Sequence, residues 1–101
     1  MSVLEKRLKE ARLQSGLSQE QLGLLAGLEV ESASARMNRY ERGTRVPAIE
    51  LMERIGSVLN LPLAYFYAAG EDEARLLVLF HRLSLADKKK LLHLAEETAR
   101  S

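Results

Sequence analysis

Twenty leucines and twelve alanines stand against only nine valines, isoleucines and threonines. Leu and Ala favour helices, whereas β-branched side chains favour strands, so this imbalance points to an all-α fold. Six glycines and two prolines leave room only for short connections between helices. A chain of 101 residues is the size of one compact unit, able to bury roughly 60–65% of its unfolded surface without staples. There is no cysteine, so neither a disulfide framework nor a thiolate metal site is available. The longest unbroken apolar run, Leu63 to Ala69, is seven residues, far short of the roughly 20 that span a membrane. The first ten residues carry charge from Glu5 onward and contain no apolar leader core, so a soluble cytoplasmic protein is expected.

Helical spacing and punctuation divide the chain. Leu4, Leu8 and Ala11 share one face of a first helix over about 3–15, and Gly16 suits a left-handed stop. Ser18 and Gln21 form a capping box that starts a second helix, with Leu17 and Leu22 placed to staple it. Its expected buried stripe is Leu22, Leu25 and Ala26, with Gly27 ending it; Gly23 inside it would allow another helix to come close. A third helix is expected over 32–42 with Ala33, Met37 and Tyr40 inward, and Gly43 closes it. Pro47 precedes a fourth, over 48–59, with Leu51, Met52, Ile55, Val58 and Leu59 inward and Asn60 as its stop. Pro62 opens a short fifth helix anchored by Tyr65 and Phe66 and ended by Gly70. Two more follow, over 72–82 and 85–99, the second capped by Ser84 and Asp87.

The net charge is only +1, but residues 32–45 hold Arg36, Arg39, Arg42 and Arg45 against the single acid Glu41. A solvated helix face would account for some of this. Arginine is also the side chain whose planar fork matches guanine edges and phosphate oxygens. A Ser-capped helix followed by an arginine-rich one reads as helix-turn-helix, in which the second helix enters the major groove.

From Leu8 to Phe66 the chain resembles the repressor-type helix-turn-helix regulators, the Cro/repressor or Xre family. The matching residues are Leu8, Ala11 and Arg12; the run Gly16-Leu17-Ser18-Gln19-Glu20 with Leu22; Gly27; and Arg39-Tyr40-Glu41-Arg42-Gly43 with Pro47. Leu51 through Leu61 and Leu63 to Phe66 match the family's closing helices. The resemblance implies a five-helix domain, here over 3–69, that binds double-stranded DNA, commonly as a homodimer. It places Ser34, Ala35, Arg36 and Arg39 toward base edges. Gln19 and Asn38 fall with the phosphate contacts, Arg42 and Arg45 with phosphate or minor-groove contacts, and Arg12 with Glu41 at a buried ion pair. The stretch between Gly27 and Ser34 is longer than the family's usual turn and carries Glu29 and Glu31.

Residues 71–101 extend past that domain. Leu76, Leu77, Phe80, Leu91, Leu92, Leu94 and Ala95 offer more apolar surface than a solvated tail needs, which suggests a dimer interface. The expected function is a sequence-specific transcriptional regulator, a repressor acting as a homodimer on a pseudo-palindromic operator. The alternative is an antitoxin-like module whose C-terminal helices bind a partner protein. His81 and His93 have no metal-ligand pattern around them, and no nucleophile, phosphate loop or carboxylate pair stands out. No enzyme activity, cofactor, metal, small-molecule ligand or membrane partner is therefore expected. Lys88-Lys89-Lys90 spreads around a helix as a solvated surface.

Overall fold

The computed structural model describes residues 2–100; residue 101 of the C-terminal segment lies outside them. The chain is helical along that length: α1 (Val3–Ser15), α2 (Gln19–Leu25), α3 (Ala33–Arg42), α4 (Ile49–Leu59), a 3-10 helix (Leu63–Tyr67), α5 (Glu71–Arg82) and α6 (Leu85–Ala99). The expected fifth helix is thus a single 3-10 segment. Gly16, Gly43 and Asn60 each take the left-handed conformation that stops the preceding helix. At α2 the Ser18 hydroxyl accepts from the Gln21 N–H while the Gln21 side chain accepts from the Ser18 N–H.

Leu8, Leu22, Met37, Met52, Ile55 and Phe66 are fully buried and form the centre of one core. α2 and α3 make the largest helix–helix contact, and glycine explains how. A Cβ on Gly23 would sit 3.0 Å from the Ala33 Cβ and 3.2 Å from the Ala33 carbonyl oxygen. The loss of helix propensity at Gly23 is offset by this close approach.

The long turn between α2 and α3 folds into the body instead of looping away. Leu28 is buried, and its N–H donates to the Gly23 carbonyl. The Glu29 carbonyl then accepts from both Ser32 and Ala33. Leu28 and Ala33, one at each end of the turn, therefore lock the register of α3, while Glu29 and Glu31 stay exposed.

Three expectations need correction. Leu25 is 61% exposed: in the short α2 the core takes Leu22 and Ala26, one turn apart, and Leu25 falls on the flank. Val58 and Leu59 are half-buried at the end of α4, not fully inward. Gly70 does not end the 3-10 helix. That helix stops at Tyr67, Ala68 and Gly70 are extended, and Gly70 is the N-cap of α5.

α5 is attached at both ends: Ala74 is buried and Leu77 and Val78 pack on the core, and Arg82 in its last turn reaches the end of α4. α6 has no buried residue. The molecule measures 53 × 27 × 22 Å with a radius of gyration of 15.4 Å, against about 13 Å for a compact chain of this length. α6, with the outer face of α5, therefore forms an arm on a compact body. Among the described residues no helix is long and apolar enough to cross a membrane.

Candidate nucleic-acid interface

A polar bridge joins α1 to α3. Arg12 reaches from the end of α1 to Glu41 in the last turn of α3, with Nε 2.5 Å and Nη2 3.0 Å from the two carboxylate oxygens. Both side chains are largely out of solvent, at 12% and 3% exposure. The remaining Arg12 nitrogen, Nη1, donates to the Leu17 carbonyl at 3.0 Å. Glu41 also accepts from the Gln19 amide at 3.2 Å, and the same amide nitrogen donates to Asn38 Oδ1 at 3.3 Å. Helices α1, α2 and α3 thus meet on one carboxylate.

This bridge determines the charge of the outer face. The only acid among residues 32–45 is turned inward and neutralised by Arg12, leaving Arg36, Arg39, Arg42 and Arg45 with no ion pair among the described residues. Ser34 and Ala35 are exposed on the first turn of α3, and Arg39 and Arg42 are exposed further along it. Gly43 breaks the helix, and Thr44 secures the exit by donating its N–H and its hydroxyl to the Arg39 carbonyl. The chain then turns back, so that Arg45 and Val46 close a niche of about 250 Å³ with Arg36, Arg39 and Tyr40. Three arginines therefore border one small concavity.

The amide positions divide differently. Gln19 spends its two amide hydrogens on Asn38 and Glu41, so its side chain is committed within the protein. Asn38 accepts with its oxygen and keeps its own amide N–H groups for another acceptor.

The C-terminal residues of interest lie elsewhere, on the arm. Leu76, Leu77 and Phe80 of α5 face Leu91, Leu92 and Ala95 of α6 across an apolar groove of about 370 Å³. Leu94 lies off this groove and is exposed. His81 and His93 are exposed, and the described residues contain no group of three or more His, Cys, Asp or Glu side chains placed to hold a metal ion.

Sequence reasoning passed over three structural arginines. Arg7 is 1% exposed and donates to the carbonyls of Ala68, Ala69 and Gly70, with Nη1 also 3.2 Å from Glu71. Its position between Leu4 and Ala11, on the apolar row of α1, was the clue. Arg54 donates to the Ala26 carbonyl at the end of α2 at 2.7 Å. Arg82 donates to the Leu59 and Asn60 carbonyls at the end of α4. No sequence pattern marks the last two, because each reaches a helix end distant in the chain.

A capped helix packed under a second helix whose outer face carries unpaired arginines is the architecture of a DNA-binding regulator. The helix-turn-helix family model matches residues 8–66. A solved structure described as the transcriptional regulator BswR is 40% identical, covers 96% of this chain and 94% of its own, and superposes with a TM-score of 0.84. No curated protein matches. The chain belongs to the helix-turn-helix family of DNA-binding transcription regulators, of the Xre type.

Proposed function

We propose that this protein is a sequence-specific regulator that binds a pseudo-palindromic operator as a homodimer and represses transcription there. One observation carries the reading: four arginines without acidic partners cluster on α3 and its exit loop, while the nearby acid is tied to Arg12. A major groove is wide enough for one α-helix. In this reading Ser34, Ala35, Arg36 and Arg39 face base edges, and Arg42, Arg45 and Asn38 meet phosphates on the flanks. Gln19 joins the phosphate contacts through the first turn of α2 while its amide holds Asn38. The likeness to a structure described as a transcriptional regulator supports the regulatory role.

Residues 3–69 serve as the DNA-binding domain and residues 71–101 as the dimerisation arm. The arm's apolar groove supports this division, because Leu76 and Leu92 on its walls are 53% and 55% exposed in the single chain. A second copy covering the groove would remove that surface from water.

Selection of bound duplexes from a random library tests the reading, since a twofold-symmetric consensus is expected. Arg39→Ala should flatten that consensus at one base pair per half-site, at a cost of about 1–3 kcal/mol. Arg45→Ala should keep the consensus and lower the salt slope by roughly one. Leu76→Asp and Leu92→Asp should sediment as monomers. A wild-type monomer would turn the arm toward a different protein partner, as in an antitoxin-like module. An Arg39→Ala variant with the full consensus would remove α3 as the reading element.

A further inference from the structure

Arg36 differs from the other basic side chains of the face. It reaches forward along α3, so that Nε and Nη2 donate to the Tyr40 hydroxyl at 3.2 and 2.9 Å. Its guanidinium carbon lies 5.9 Å from the Tyr40 ring centroid. Arg39, Arg42 and Arg45 have no such tether among the described residues. The Tyr40 ring is itself fixed, because it is buried on the same inward row as Ala33 and Met37. A phenylalanine would fill that space equally well, so core packing does not account for the hydroxyl. Its side-chain partner among the described residues is Arg36, one helical turn earlier.

We propose that Tyr40 is a positioning residue for base recognition, and that it aims Arg36 at a guanine edge. The inference rests on the reading of α3 as the helix in the major groove. A guanidinium has five N–H donors on three edges. The Tyr40 oxygen occupies the Nε/Nη2 edge, which leaves the Nη1/Nη2 end free. That end is the fork that pairs with O6 and N7 of guanine. A free arginine loses much rotamer freedom on docking, whereas one already held by a rigid acceptor loses less. The hydroxyl thus links the core to the reading surface. The niche of about 250 Å³ beside Tyr40, bordered by Arg39, Arg45 and Val46, leaves room for the base edge to approach.

A guanine edge and a phosphate oxygen would both accept from Arg36, and they are separated by what is lost. The test compares the wild-type full chain with Tyr40→Phe, Arg36→Ala, Arg36→Lys and the Tyr40→Phe/Arg36→Ala double variant. Binding is measured on duplexes carrying the selected operator with each base pair changed in turn, at two salt concentrations, with melting temperature as the folding control. Tyr40→Phe is expected to lower the preference for guanine at one base pair per half-site by about fivefold or more, at the pair affected by Arg36→Ala. Its salt slope should stay at the wild-type value, because no charge is removed. Arg36→Lys should lose the same preference, since an ammonium group cannot use both acceptors as a planar fork. The double variant should be no worse at that pair than Arg36→Ala alone.

The proposal is overturned if Tyr40→Phe keeps the full preference, if it weakens all sequences evenly, or if its effect adds to that of Arg36→Ala. If Arg36→Ala keeps the preference while Arg39→Ala loses one, the inference fails and the reading of α3 stands. If neither arginine affects any base pair, both fail together.

Discussion

Replacing Arg7 by Met should weaken the join between the body and α5. The guanidinium donates to the Ala68 carbonyl at 3.0 Å and to the Gly70 and Ala69 carbonyls at 3.3 and 3.4 Å. A hydrogen bond to a charged group contributes ~1.5–3 kcal/mol net, and only the first of these three is near ideal length. Glu71 is 65% exposed on its side chain, so it returns to water with little penalty. Methionine retains most of the stem's packing and removes the desolvation cost of the buried charge, which offsets part of the loss. The remaining deficit is about 3 kcal/mol, which in a chain of this size lowers the melting temperature by roughly 12–24 °C. Thermal denaturation followed by circular dichroism at neutral pH measures it. Arg7→Lys should fall between, because it keeps the charge without the fork that reaches three carbonyls. If Arg7→Met melts within about 2 °C of wild type, the buried guanidinium does not hold residues 68–70 and this reasoning is wrong.

Glu41→Gln should destabilise the protein by about 3–5 kcal/mol in chemical denaturation, since it leaves Arg12 buried without a counter-charge; a loss under about 1 kcal/mol would mean the pair behaves as an exposed one. Glu71 is held below its ordinary value of 4.5 by the hydrogen bond from Lys6 and then by Arg7. Its contribution is therefore present above pH 4.5 and lost as pH falls through the lowered value. The melting-temperature gap between wild type and Glu71→Gln seen at neutral pH should accordingly close in acid, and a constant gap would exclude the linkage. Gly23→Ala should lower stability by about 1 kcal/mol despite better helix propensity, because the new methyl meets Ala33, which is fixed by its own backbone. A more stable Gly23→Ala variant would show that α2 and α3 can separate without penalty.

Local rules made much of this molecule legible in its sequence. Ser18 with Gln21, Ser84 with Asp87, and the stops at Gly16, Gly43 and Asn60 depend on neighbours a few residues apart, so spacing alone locates the helices. The inward row of α3, Ala33, Met37 and Tyr40, follows from the helical period in the same way. The charge excess of residues 32–45 is likewise a property of composition. Spacing gave no account of the turn after Gly27, because its course depends on Leu28 finding a place in the core.

Other features came from contacts between residues far apart in the chain. Arg7 meets the carbonyls of residues 68–70 because the 3-10 helix packs beside α1 and brings that segment within its reach. Gln19 looked like a free donor until α2 and α3 came together and consumed its amide hydrogens. Tyr40 belonged to the core by period, yet its hydroxyl emerges beside Arg36 at the edge of the basic face. A helical wheel assigns a side chain one direction, but the polar end of a long residue is directed by what surrounds it after packing. Sequence therefore determined where the helices and their basic face lie; tertiary structure decided which arginines brace the protein and which are left without an ion pair among the described residues.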